Sequence, residues 1–499
     1  MPTTLLRRAA RWFAWALVVW LLLTAVVVLV VSFRARAQPD LGPWHRIELV
    51  HERPADDLRD IDWAAWRANE DALFAELQEK LAESAPAGRY RFERGSRLGP
   101  PPGSTDWNRS YDSAPAGAPR GGVLLLHGLS DAPYSLHHVA DLYAAQGWVV
   151  LAPRLPGHGT VPSGLLTVRW QDWLAVVELA MRELRVRIGP DAPIHIVGYS
   201  NGAALALKYS LERVAEGEGA DTGERLPLPQ QVILLSPMVG IDGAARFSGL
   251  LPLLGGFDYF EKSRWFDIQP EFNPFKYNSF PVNAVRQSWL LTTSLQPQLL
   301  ALRAAGGAQR MPPVLAFHSV LDSTVSTPAV VRALFDKLPA NGSELVLFDI
   351  NRQSLLAPLF TDDANRMLEA LQPEDGGWTL TVIGNRDPGT LQVAERRHGP
   401  AGVSERPLPL AWPAEVYSLS HVALPFPVDD PLYGLQPRTD IDYGIRLGTL
   451  RLHGERGALS VSAEQLARIT SNPFFPYVRE RIGATIEAST GRRIPVPSD

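Results

Sequence analysis

Apolar positions change their period several times along this chain of 499 residues, and each change marks a part. Trp12 to Phe33 carries no charge and is dominated by Leu, Val, Ala and Trp, long enough to cross about 30 Å of hydrocarbon as a helix. A spacer from Gln38 to Asp60 follows. Trp63, Trp66, Leu73, Phe74, Leu77 and Leu81 then fall at helical spacing, with Asp60 or Asp62 placed to cap the start and Pro86 and Gly88 closing the end. Such a face is expected to bury against its own domain, with lipid contact as the alternative. Trp107 to Tyr111 reads as an edge strand within a turn-rich connection, and its Asn108-Arg109-Ser110 sequon reads as coincidental.

From Gly122 the pattern becomes an alternation of short apolar runs and amphipathic stretches. Strands are expected at Val123 to Leu126, Val149 to Ala152, Ile194 to Val197 and Val232 to Leu235. Helices are expected at Ser135 to Gln146, Trp170 to Arg187 and Ala203 to Val214. Alternation of this kind implies an α/β fold, a mostly parallel sheet with helices on both faces. Between Gly240 and Pro313 it lapses into aromatic, Gly- and Pro-rich sequence with helical pieces at Val282 to Leu291 and Gln296 to Ala305, which reads as a helical lid insertion. Strand Val314 to Phe317, helix Thr327 to Leu338 and strand Glu344 to Phe348 resume the pattern. Asn351 to Pro413 interrupts it again, with Trp378 to Ile383 and Gly389 to Ala394 resembling a hairpin at the sheet edge. The expected division is an anchor at 1–37, a membrane-proximal extension at 38–118, a core first part at 119–240, a lid at 241–312, and a core second part at 313–499 with the 351–413 insertion.

Charge gives the ends a direction. Arg7, Arg8 and Arg11 precede the apolar run and Arg34 and Arg36 follow it, so the amino group and three upstream arginines favour a cytoplasmic N-terminus and an exported body. Ala35-Arg36-Ala37 also fits a signal peptidase site, which would leave a mature chain starting at Gln38; both readings export the domain. Removing those five arginines from 48 basic residues leaves 43 against 53 acidic ones, a net charge of −10 that argues against nucleic-acid binding. The chain has no cysteine, hence no disulfide framework and no thiolate metal site.

The chemistry-bearing stretch is Gly198-Tyr199-Ser200-Asn201-Gly202, a G-x-S-x-G turn between an apolar strand and a helix that opens with small residues. A serine hydroxyl needs a base to take its proton and a turn that holds it out, and a strained strand-to-helix elbow provides the second. His127-Gly128-Leu129 follows another strand, where backbone N–H groups can face a developing oxyanion. Leu129 and Asn201 are the expected donors, Asn201 through its main chain with a side chain free to vary.

Leu124-Leu125-Leu126-His127-Gly128, Arg154-Leu155-Pro156-Gly157-His158-Gly159 and the serine turn together resemble the α/β-hydrolase superfamily, in particular its monoacylglycerol lipase, lysophospholipase and bacterial carboxylesterase group. The resemblance covers Gly121 to Leu338 and the surroundings of His421; the first 118 residues and 351–413 depart from it. It implies a triad running serine, acid, histidine in chain order. Asp322, past a strand and before a helix, matches the family's acid, with Asp349 as the alternative. Of the later histidines, His398 sits in a charged turn, His453 beside Gly454, and His421 in a loop after strand-like Val416 to Leu419, which favours His421 as base. The 99 residues from Asp322 to His421 exceed the family's usual gap.

The implied reaction is ester hydrolysis through an acyl-enzyme, with an acyl lipid favoured by the apolar content of Phe247 to Phe266 and by the anchor. Amidase, peptidase or thioesterase chemistry on the same triad, or a non-catalytic membrane-tethered scaffold, are the alternatives. Expected partners are a small-molecule or lipid ester and the membrane, with no nucleic acid and no cofactor. His158 reads as loop shaping, and Asp429-Asp430 as a solvated turn, not a metal site.

Overall fold

The computed structural model describes residues 11–22, 26, 32–33, 36–217, 226–240, 258–362, 368, 371, 377–400, 402–450 and 468–491. After helical residues 11–22 and a single helical turn at Ala55–Leu58 comes the longer helix α1 (Trp63–Ser84), its N-terminus capped by Asp62, whose side chain accepts from the Ala65 amide at 2.7 Å. Strands β1 (Tyr111–Ser113) and β2 (Gly122–Leu126), helix α2 (His137–Ala145), β3 (Val149–Ala152), α3 (Trp170–Ile188), β4 (Ile194–Tyr199), α4 (Asn201–Ala215) and β5 (Gln231–Leu235) follow. A short pair, β6 (Trp265–Asp267) and β7 (Phe280–Pro281), leads into α5 (Val282–Ala304). The alternation returns with β8 (Val314–Ser319), α6 (Thr327–Ala333) and β9 (Glu344–Phe348). The chain then adds β10 (Thr379–Asn385), β11 (Gln392–Gly399), β12 (Gly402–Ala411) and α7 (Phe475–Thr490).

Ten strands form one sheet in the order β1-β3-β2-β4-β5-β8-β9-β10-β11-β12. From β3 through β10 every pairing is parallel; β1 and the β11–β12 end are antiparallel. Side chains that alternate along each strand feed two cores. Leu124, Leu126, Ile196, Leu234 and Leu347 face the layer of α1, α3, α4 and α5. Val123, Leu125, Val197, Ile233 and Phe348 face α2 and α7. Both faces are covered, which is why the strands read as continuous apolar runs.

The 351–413 insertion enlarges this sheet. β10 pairs in parallel with β9, and β11 and β12 add an antiparallel edge beyond it. Val416 to Leu419, expected as strand-like, is not a strand: Asn351 takes up its polar backbone, donating from its amide to Tyr417 O at 2.8 Å and from Nδ2 to Val416 O at 2.9 Å. The two helical pieces expected within 282–305 are one helix that runs through Pro297, held by burial of Leu291, Leu295, Leu299 and Leu302.

The segment before β2 is built into the core. Trp44, Trp63, Trp66 and Phe74 belong to the same apolar cluster as β2 and β4. Glu52 and Glu70 supply the counter-charges for Arg154, which is fully buried: its Nε lies 3.1 Å from Glu70 Oε1 and its Nη2 3.1 Å from Glu52 Oε1. A buried guanidinium requires such pairing. Asn108 of the sequon is buried and its Nδ2 donates to Pro274 O at 3.2 Å. Among the described residues no helix is long and apolar enough to cross a membrane. Much of the run expected as an anchor, Trp12 to Phe33, lies outside the described residues, and so do Phe247, Leu250, Leu251, Leu253, Leu254 and Phe257 of the expected lid.

Candidate active site

β4 delivers Ser200 at its carboxyl end in a conformation few L-residues adopt, φ 54° and ψ −113°. The turn forces two glycines. A Cβ at Gly198 would fall 2.5 Å from the Ala203 Cα, and one at Gly202 would overlap the carbonyl of Leu126. Helix α4 therefore starts against the end of β2. The non-glycine residues of positive φ among those described are Ser130, in the turn after β2, and Ser200 and Ser236, the residues directly after β4 and β5. Backbone strain of this sort costs about 1–3 kcal/mol per residue and gathers at functional sites.

His421 faces Ser200 across that turn. Its Nε2 lies 2.8 Å from Ser200 Oγ and its Nδ1 2.7 Å from Asp322 Oδ2. A carboxylate only accepts, so Nδ1 carries the hydrogen and Nε2 of the neutral ring accepts from the serine hydroxyl. The other Asp322 oxygen accepts from the amides of Thr324 at 2.8 Å and Val325 at 3.0 Å. Burial acts to raise the Asp322 pKa, but the charge and hydrogen bond of His421 outweigh it and hold the carboxyl below its ordinary value. The structure thus brings Ser200, Asp322 and His421 into one hydrogen-bonded chain, all three buried.

The loop bearing His421 is fixed by strand ends. Ser236 Oγ donates to His421 O at 3.2 Å, and Ser319 Oγ to Leu419 O at 2.8 Å. Leu129 sits in the turn after β2, and Asn201 is the first residue of α4, where a helix leaves its amides without internal partners. The Asn201 side chain is not free to vary: it is fully buried, and its Oδ1 accepts from Ser288 Oγ of α5 at 2.8 Å.

A match to the model of the alpha/beta hydrolase family spans residues 123–349. Over that span, rather under half of its length, the chain is similar to the alpha/beta hydrolase family. Its sequence is 38% identical over 86 residues to a thermostable monoacylglycerol lipase of Bacillus sp. (strain H-257), a stretch covering 17% of this chain and 33% of that protein. The chain thus spans about a third of the length of this curated relative. Among solved structures it is similar to a monoacylglycerol lipase of Paleococcus ferrophilus, with 16% identity, a TM-score of 0.34, and coverage of 53% of this chain and 98% of that one. A soluble variant of the Saccharomyces cerevisiae monoglyceride lipase gives 14% identity, a TM-score of 0.35, and coverage of 48% and 81%.

Other candidate residues settle away from the Ser200 chain. Asp349 is held by Arg352, with Oδ2 3.3 Å from Nε, and burial raises its carboxyl pKa. His398 lies in β11 opposite Leu380 and Val403, and His453 lies outside the described residues. His127 is locked between Gly128 O at 2.9 Å and the Leu155 amide at 3.0 Å, and burial pushes its pKa down to about 3. His158 bonds Pro156 O at 3.0 Å, beside the His127 ring. Asp430, expected in a solvated turn, is fully buried: two backbone amides, Tyr134 and His138 converge on it.

Sequence reasoning passed over Asp131 and Lys276. Asp131 is buried, its pKa raised by that burial, with Lys276 Nζ 3.4 Å from its Oδ1 and 3.4 Å from Leu129 O. The Tyr277 amide adds a bond to Ser130 O at 2.8 Å, so segment 276–277 clamps the 128–131 turn. Asp131 stands within the very turn expected to carry an oxyanion donor, a signal that was legible; Lys276 lies 145 positions on and had none.

Proposed function

We propose that this protein is a serine hydrolase that cleaves carboxylic esters of acyl lipids, monoacylglycerol or lysophospholipid, through an acyl-enzyme. The observation that carries the reading is the unbroken bonding from Asp322 through His421 to Ser200. His421 takes the proton of Ser200 as Oγ attacks the ester carbonyl, and Asp322 holds the ring in the accepting tautomer and stabilises the imidazolium. The amides of Leu129 and Asn201 stabilise the oxyanion; loss of one such donor costs about 2.7–4 kcal/mol in barrier. His421 then returns the proton to the leaving alcohol, and water, activated by the same histidine, releases the acid.

The lipid substrate rests on the sequence of segment 241–312 as a lid and on the anchor at Trp12 to Phe33, with the catalytic body outside the cytoplasm. Residues 11–22 form a helix with Trp12, Phe13, Trp15 and Leu22 exposed, an apolar surface that a membrane would cover. Ser200→Ala tests the chemistry: wild-type protein should label with a fluorophosphonate probe and hydrolyse esters, and the variant should do neither while keeping its circular dichroism. Equal turnover by the variant would end the proposal. Comparing monoacylglycerols, lysophospholipids, short aryl esters and aminoacyl amides then reads substrate class, and preference for amides would overturn the lipid-ester assignment.

A further inference from the structure

Below the loop that carries His421, three metal-ligating side chains meet at a point the hydrolytic chemistry does not use. His137 and His138 are consecutive residues at the start of α2, and Asp430 comes from the loop nine positions after His421. Their candidate ligand atoms all lie within 4.8 Å of one another. Asp430 Oδ2 is 2.9 Å from His138 Nε2 and 3.9 Å from His137 Nε2. Ligands at zinc–nitrogen and zinc–oxygen distances of about 2.0–2.2 Å in tetrahedral geometry stand about 3.3 Å apart, a spacing these two values bracket.

The surroundings do what a metal's second shell does. A ligating imidazole needs its other nitrogen tied down, and His137 Nδ1 donates to Tyr134 O at 2.6 Å, which leaves Nε2 with its lone pair toward Asp430. Asp430 Oδ1 is oriented by the amides of Leu432 at 2.9 Å and Tyr433 at 2.7 Å, and the Tyr134 hydroxyl lies 2.9 Å from Oδ2. The Asp430 side chain is fully buried, and those of His137 and His138 are 8% and 13% exposed, so the cluster is largely enclosed. A simple buried ion pair would account for His138 and Asp430. It leaves His137 Nε2 beyond hydrogen-bond distance of the acid it faces.

The geometry points to a divalent transition-metal site, with zinc as the favoured ion, formed by His137 Nε2, His138 Nε2 and Asp430. Two imidazoles and one carboxylate suit zinc better than magnesium or calcium, which prefer all-oxygen sets. Coordination requires only that His138 carry its hydrogen on Nδ1 in place of Nε2. The ion would join the start of α2, which follows the 128–131 turn, to the loop that bears His421, acting as a staple and not as a reactant.

The test uses the untagged full-length chain, stripped with a chelator and titrated with ZnCl2. Wild type should take up one zinc per chain, with a raised Tm. His137→Gln and His138→Gln should each bind about 100-fold or more weakly, beyond the 10–100-fold that loss of a second-shell partner costs. Asp429→Asn, which alters the exposed neighbour, should bind as wild type. Wild-type uptake below about 0.1 zinc per chain with no Tm change would overturn the site, and so would variants that bind zinc as tightly as wild type. The wild-type stoichiometry decides even where a variant fails to fold, and its failure would leave the Ser200 chemistry unaffected.

Discussion

Asp322→Asn isolates the orientation of the proposed base from the integrity of the fold. In wild type one carboxylate oxygen holds the amides of Thr324 and Val325, and the other accepts from His421 Nδ1. An asparagine keeps the shape. Its single oxygen is claimed by the two amides, so its NH2 group turns to His421 and Nδ1 must become the acceptor. The ring hydrogen moves to Nε2, which then donates toward Ser200 Oγ and can no longer take its proton. The same exchange in a well-studied serine protease, a worked case for this chemistry, lowers kcat about 10⁴-fold. At 1.36 kcal/mol per factor of ten that is about 5.4 kcal/mol of barrier.

The fold should register little, since both amide bonds survive and no volume changes, so a stability loss of about 1 kcal/mol is expected. The assay is kcat on an aryl ester together with the rate of fluorophosphonate labelling, with urea denaturation as the control for folding. Asp349→Asn is the matched control: that carboxyl is engaged with Arg352, and kcat should stay within a few-fold of wild type. A folded Asp322→Asn that kept kcat within tenfold would refute the assignment of Asp322 as the orienting acid.

Glu344→Gln probes the sheet extension: Glu344 accepts from Arg481 at 2.8 Å through both oxygens and from Thr381 at 2.6 Å, and although burial raises its pKa, the Arg481 bond and charge lower it further. Because the folded carboxyl is depressed, its stabilisation, about 2 kcal/mol for a pair short of full burial, is present above the unfolded value near 4.3 and lost as pH falls through the folded value. Urea titrations should show the variant weaker at pH 7 and equal to wild type in strong acid; a gap independent of pH would sink the linkage. Glu70→Ala should cost about 3–5 kcal/mol, read by thermal unfolding, because it strips a counter-charge from fully buried Arg154. Gly202→Ala should lose ester turnover more than stability, since the added methyl meets the Leu126 carbonyl and pushes α4 from the end of β2.

The parts legible in the sequence were those decided locally. The parallel strands announced themselves as apolar runs because both sheet faces are covered, and the Ser200 elbow did so because two close backbone approaches admit only Gly198 and Gly202. What was not legible depends on distant partners. Asp430 and its exposed neighbour Asp429 look alike in sequence, and only the packing of Tyr134 and His138 separates them. The segment at 38–118 read as an extension because nothing local shows that Glu52 and Glu70 answer a charge at Arg154. Asn201 looked free for the same reason, its partner Ser288 being 87 positions away.

The 99-residue gap between Asp322 and His421 illustrates why sequence distance is a poor guide to whether an acid and a base can meet. The inserted chain leaves β9, runs as β10 alongside it and turns back through β11 and β12, so the excursion extends the sheet sideways and leaves the ends of β4, β5 and β8 uncovered by it. Its return is caught at Asn351, three residues after β9 ends at Phe348, by bonds to Val416 and Tyr417. From there only three residues separate the clamp from His421, and Ser319 at the end of β8 and Ser236 just after β5 take the carbonyls of Leu419 and His421. The position of the histidine is thus set by the ends of β5 and β8, which the insertion does not pair with, and by the Asn351 clamp at the insertion's base. Lengthening or trimming the β11–β12 edge should leave the Ser200 to His421 distance unchanged, whereas Asn351→Ala should loosen it.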